Sequence, residues 1–221
     1  MHIFFEDIYV YMLVKNDLLK KLENDGIKRI KYFAKGHRGF LFTGDYKSKK
    51  VVIKAKNPSS MAFGRIENES KWLQKLNRHG IGPKLLHSNK EYFVYEFIDG
   101  DFIIDYIKKS NKTNIRKILE SVFIQMYKLD KMKVDKEEMN HPLKHVIIAK
   151  NKPYLIDFER ARYTNDPKNV TQFCQFVTGG YTTTLLSEKG INLNKNEVIE
   201  LAKIYKSRMS TGNLKKIINL I

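Results

Sequence analysis

Cysteine is almost missing from this chain. Cys174 is the only one in 221 residues, which excludes an internal disulfide and a cysteine-built zinc site. Proline and glycine are sparse as well, at 5 and 12 residues, so a low-complexity or disordered chain is excluded. Long apolar runs are also lacking. The uncharged stretch 170–187 is full of Thr, Gln and Gly and does not suit a bilayer. The opening MHIFFEDIYVYMLV carries Glu6 and Asp7 and has neither a basic region nor a small-residue cleavage site. The expectation is a soluble protein of a reducing, cytoplasmic setting, with Cys174 a small buried hydrophobe.

Acidic residues are the other shortage: 24 Asp and Glu face 41 Lys and Arg, a net charge of +17. The surplus is spread along the chain rather than gathered in a tail. It favours polyanions, so RNA or ribosome contact is one expected use, although a lysine-rich solvated surface produces the same surplus. What is present is a core: 42% of residues are hydrophobic and 12% aromatic, enough for one compact domain or two small lobes.

Residues 15–24 read as a short amphipathic helix with Leu18, Leu19 and Leu22 on one side, stopped by Gly26. The period then changes to two. Arg29–Lys35, Phe40–Tyr46 and Val51–Ala55 read as an antiparallel meander, with the turn Gly36-His37-Arg38-Gly39 between the first two strands. A helix is expected from Met61 to His79, closed by Gly80, then strands at Lys84–His87 and Tyr92–Phe97 and a hinge at Ile98-Asp99-Gly100. Helices dominate from Asp101. The clearest is Asn114–Met132, where Ile115, Leu119, Val122, Met126 and Leu129 repeat at helical spacing. Val146–Ala149 and Tyr154–Ile156 read as short strands, and the chain after Pro167 as helices.

Three charges interrupt these apolar patterns. Lys54 stands inside Val51-Val52-Ile53-Lys54-Ala55, where it must snorkel out or meet an anion. Glu69 takes a core-facing place in the stripe Ala62, Ile66, Glu69, Leu73, Leu76, and Lys54 is its obvious partner. Asp157 ends the run Tyr154-Leu155-Ile156, where a carboxylate at a strand end can hold a cation. A structural ion pair and a turn cap explain each charge singly. Their order, behind a glycine turn, is the order a kinase needs: backbone amides and a lysine for phosphates, a glutamate to hold the lysine, a hinge for adenine and an aspartate for Mg²⁺.

The stretches KGHRGFLFTG (35–44), VVIK (51–54), RIENESKWL (65–73), IGPKLL (81–86), VYEFIDG (94–100), HPLKHVII (141–148) and LIDFERAR (155–162) resemble the small archaeal serine/threonine kinases related to the RIO/Bud32-type atypical kinases. The resemblance covers roughly 31–175. It implies an α+β, two-lobed protein-kinase-like fold: an N-terminal extension with a short helix (1–30), an antiparallel five-stranded N-lobe (31–98) and a reduced helical C-lobe (99–221). It assigns Gly36, His37 and Gly39 to the phosphate loop, Lys54 to the phosphates and Glu69 to its support. It also assigns Glu96 to Ile98 to the hinge, Tyr95 to the gatekeeper position and Asp157 to the metal. The implied activity is transfer of the ATP γ-phosphoryl group to a protein hydroxyl, its own included, with Mg²⁺ or Mn²⁺.

The departures matter as much. The loop is G-x-x-G, and Asp157 is followed by Phe158-Glu159 rather than Phe-Gly, which adds a carboxylate near the metal. No A-P-E segment and no H-R-D-x-x-x-x-N loop is present. His145 stands where a second metal ligand belongs, although imidazole suits softer metals than Mg²⁺. Asp135, Glu137 and Glu138 offer carboxylates for a general base. Glu138 is preferred because Met139 can then pack as the following residue, and His141 reads as a structural histidine. The alternatives are an ATPase switch bound to RNA, a ribosome or a tRNA-modification complex, and a nucleotide-binding pseudokinase scaffold.

Overall fold

The computed structural model describes residues 16–35, 39–57 and 65–221. It is α+β, and it divides into two compact units. The first takes in the described residues up to Gln74 together with Lys84–Phe97; the second takes in Lys75–Pro83 and Ile98–Ile221.

In the first unit the helix α1 covers 16–24 and ends at Gly26, whose φ of +83° is the left-handed stop that glycine supplies. Five strands follow: β1 (Ile27–Lys35), β2 (Gly39–Tyr46), β3 (Lys49–Lys56), β4 (Leu85–Ser88) and β5 (Tyr92–Glu96). They form one antiparallel sheet in the order β1-β2-β3-β5-β4. Strand alternation divides the sheet's side chains between two faces. Phe40, Phe42, Val51, Ile53, Ala55, Tyr92 and Val94 build a core with Leu18 and Leu22 of α1. Val52 and Lys54 have the opposite parity on β3 and point to the other face. The helix α2 (Arg65–Asn77) buries Ile66, Glu69, Leu73 and Leu76 at the expected spacing, and Trp72 besides. Ala62, the first member of that stripe, lies outside the described residues.

In the second unit α3 (Ile103–Lys109) precedes α4 (Lys112–Lys131), whose N-cap Asn111 accepts a hydrogen bond from the Asn114 amide at 3.0 Å. The apolar stripe of α4 is buried as its periodicity requires. β8 (Val146–Ala149) and β9 (Lys152–Leu155) form a hairpin, extended by β6 (Asp101–Phe102). β7 (Val134–Asp135) pairs with β10 (Arg162–Tyr163). The remainder is helical: α5 (Asn169–Val177), α6 (Gly180–Glu188), α7 (Lys195–Ser207) and α8 (Thr211–Ile218). Phe123 of α4 meets Phe173 of α5 edge-on, with ring centroids 4.8 Å apart. Gly100, the last residue of the expected hinge, also has a packing reason. A β-carbon there would stand 2.2 Å from the Ile148 carbonyl oxygen, so only glycine lets β6 lie against β8. Among the described residues no helix is long and apolar enough to cross a membrane.

Candidate functional site

Two clusters of charged side chains stand out, one built within each unit. In the first unit Lys54 sits mid-strand on β3, with Leu41 of β2 and Phe93 of β5 as its register partners. Its ammonium meets Glu69 Oε2 of α2 at 2.5 Å, and the Glu69 side chain is only 5% exposed. The two charges that broke the apolar patterns of strand and helix are therefore joined, as burial of either one requires.

Gly39 opens β2, and a β-carbon on it would stand 2.6 Å from the Ala55 carbonyl oxygen. The close crossing of β2 over β3 thus explains this glycine without a phosphate. Gly36 and His37 lie outside the described residues. At the end of β5 the Glu96 amide donates to the Lys84 carbonyl at 3.0 Å, and the Phe97 amide donates to the Lys50 carbonyl at 3.1 Å. Those two amides are spent within the sheet, which leaves Ile98 as the main-chain donor of the expected hinge. The Glu96 carboxylate is paired with Lys49 at 2.5 Å, and the Tyr95 ring stacks on Phe93, with centroids 5.6 Å apart.

In the second unit the β8–β9 hairpin does the positioning. Val146 pairs with Leu155, and one step further the Ile156 amide donates to the His145 carbonyl at 3.0 Å. Pairing therefore carries His145 and Asp157 to the same end of the hairpin. Glu138 arrives from the loop after β7, its Oε2 standing 3.6 Å from His145 Nε2. A Glu159 carboxylate oxygen lies within 4.8 Å of one on Asp157, so these two acids can reach one hard cation. Burial, more than any charge, pulls the His145 pKa below its ordinary value; Lys136 adds to the fall, and Asp157 and Glu138 oppose it.

The backbone here is unusual. Glu137, Glu138 and Asp157 have φ of 64°, 59° and 62°. Left-handed conformations in three non-glycine residues cost about 1–3 kcal/mol each, and such strain gathers at sites that use it.

The loop also separates the three candidate bases. Asp135 is buried beside Arg162, with Oδ1 lacking a hydrogen-bond partner among the described residues. Glu137 is paired with Arg162. Glu138 is partly exposed and pairs with Arg160 at 3.1 Å. Met139 is fully buried, and its amide donates to Gln172 Oε1 at 2.9 Å, which fixes the loop behind Glu138. His141 is exposed and precedes the single turn Pro142–Lys144.

Two members of the cluster escaped the sequence reading. Lys136 is 1% exposed and donates to the Asp157 carbonyl at 3.1 Å. Arg160 stands one residue beyond Glu159, inside a stretch already singled out, yet nothing in its spacing marks it as Glu138's partner. Lys136 is hidden more deeply, because it falls in the run Asp135-Lys136-Glu137-Glu138, which looks like a solvated loop.

No family model matches the chain. A protein of Methanocaldococcus jannaschii named "Uncharacterized protein MJ1211" is 28% identical over 114 residues, a match spanning 50% of this chain and 97% of that relative. Its name carries no activity to transfer. The class defined by the structure is an α+β protein with a five-stranded antiparallel sheet and two clusters of charged side chains.

Proposed function

We propose that this chain is an ATP-dependent phosphotransferase of the atypical serine/threonine kinase type. It transfers the γ-phosphoryl group to a protein hydroxyl, on itself or on another chain. The observation that carries this reading is the Lys54–Glu69 pair. A buried ion pair is an expensive way to stabilise a sheet, since apolar residues of similar volume do as well or better. Keeping a cation inside the apolar strand Val51–Ala55 makes sense if the cation has an anion to bind.

In this reading Lys54, oriented by Glu69, holds phosphate oxygens. The Ile98 amide and neighbouring carbonyls meet adenine, and Gly36, His37 and Gly39 line the phosphate loop. Asp157 and Glu159 hold Mg²⁺, or Mn²⁺ in its place, which offsets charge on the transferred group. Glu138 orients the attacking hydroxyl. It fits that role better than Asp135 or Glu137 because, of the three, it alone is both partly exposed and beside His145.

A second reading has its own observation. Both loop glutamates are engaged by arginine, Glu137 by Arg162 and Glu138 by Arg160, so a hydroxyl must compete with a guanidinium for either. That favours hydrolysis or nucleotide-controlled binding without transfer, with RNA as the partner for the +17 surface. The test is to incubate pure protein with γ-labelled ATP and Mg²⁺ or Mn²⁺, with and without a general protein substrate. Label on protein supports transfer. Free phosphate alone supports the ATPase, and neither product returns the chain to a scaffold.

A further inference from the structure

We propose that Lys136 is a positioning residue that locks His145 as an Nε2–H hydrogen-bond donor, and so keeps its imidazole out of the metal's coordination shell. The inference rests on the proposed metal–nucleotide reading only for what the donor serves; the lock itself stands on geometry within one unit.

The Lys136 ammonium lies 3.4 Å from His145 Nδ1 and 3.1 Å from the Asp157 carbonyl oxygen, and its charge sits 5.2 Å from the centre of the Phe158 ring. The carbonyl oxygen takes a lysine N–H, and the ring face suits an ammonium. An ammonium has no lone pair, so Nδ1 must accept, and the single proton of a neutral imidazole is then on Nε2. That proton faces Glu138 Oε2 at 3.6 Å. A histidine binds a metal through an unprotonated nitrogen while its other nitrogen keeps the proton. Here Nδ1 faces Lys136, and Nε2 carries hydrogen. Coordination through either nitrogen would require losing the lysine contact or forming an imidazolate.

Lys136 cannot drift away easily. Its amide donates to Asn169 Oδ1 at 2.9 Å, and Asn169 is itself held by Asp130 at 2.7 Å. The cation site is thereby left to carboxylate oxygens, which suits Mg²⁺ or Mn²⁺ and disfavours Zn²⁺ or Co²⁺. The Nε2–H is left free to steady Glu138 or a phosphoryl oxygen. The expectation that His145 is a metal ligand is replaced by this one.

Long-range ¹H–¹⁵N NMR of the full chain, at a pH where the ring is neutral, tests the lock. The His145 signals are assigned by their loss in His145→Gln. Nδ1 should show the shift of an unprotonated nitrogen and Nε2 that of a protonated one; the reverse pattern overturns the proposal. Adding Zn²⁺ or Co²⁺ should leave the His145 ring signals in place in the wild-type protein. Displacement of those signals by either metal overturns it too. Lys136→Met should give a mixture of tautomers and let Zn²⁺ or Co²⁺ move the ring. If that variant does not fold, the two wild-type measurements still decide. Loss of γ-phosphoryl transfer with an intact lock would refute the nucleotide reading and spare this one.

Discussion

Lys54 and Glu69 were legible because each is a polar intrusion in a clean period, and a two-residue or four-residue repeat exposes an intruder. Removing one of them strands the other. Lys54→Met should lower stability by about 3–5 kcal/mol in urea unfolding, because Glu69 stays buried without its cation. The double variant Lys54→Met with Glu69→Leu should regain most of that loss, yet still fail to bind an ATP analogue in a calorimetric titration. Full binding by the stable double variant would make the pair structural and remove the main support for the phosphotransferase. Lys136 shows the opposite case. It follows a strand only two residues long, too short to display a period, and four successive charges conceal the buried one.

The larger elements were read from period and punctuation: the five strands by alternation, α4 by its stripe, and the ends of α1 and α2 by Gly26 and Gly80. The two-residue strands β6, β7 and β10 were not legible, because their pairing partners lie 27 to 47 positions away by register. What secures β7 is a buried polar knot. Asp130, at the end of α4, accepts from the Asn169 side chain, the Asn169 and Val170 amides, and the Tyr205 hydroxyl at 2.9 Å. Asn169 in turn donates to the Val134 carbonyl at 2.6 Å. Asp130→Ala should cost at least about 1–3 kcal/mol, the penalty for a buried donor left unmet, and should loosen the loop carrying Glu138. Amide hydrogen exchange at 134–139 would report that loosening.

Burial holds the Asp130 carboxyl above its ordinary value of 3.8, so the folded state binds this proton more tightly than the unfolded state does. The stability it adds is full below 3.8 and is lost as pH rises through the folded value. The advantage of wild type over Asp130→Asn in urea unfolding should therefore shrink between pH 4 and pH 7; an advantage that grows over that range would contradict the assignment.

At the scale of the whole chain, Cys174 is a built-in reporter. It is buried in α5, and burial pushes its thiol up to about 12, with Asp130 adding to the rise. At pH 8 a thiol reagent should label folded protein slowly and unfolded protein fast, with the jump at the urea midpoint of the second unit. Fast labelling of native protein would mean that α5 opens without global unfolding. The charge surplus gives the other whole-chain test. If the surface grips RNA, affinity should fall log-linearly with salt, by a power near the number of phosphates neutralised. Weak and salt-independent retention would leave the lysines a solvated coat. Composition could raise this question but not answer it, because a net charge of +17 says nothing of which side chains share a face.

The left-handed residues Glu137, Glu138 and Asp157 carry an evolutionary consequence. Glycine fits that backbone without strain, and a laboratory selection for heat resistance alone has every reason to install it at these three places. Populations evolved under heat without any demand for chemistry should therefore drift to glycine there. Populations that must also keep the chemistry should hold the acids and gain their heat resistance elsewhere. Deep sequencing of both populations would show which of the three acids the chain retains for work rather than for folding.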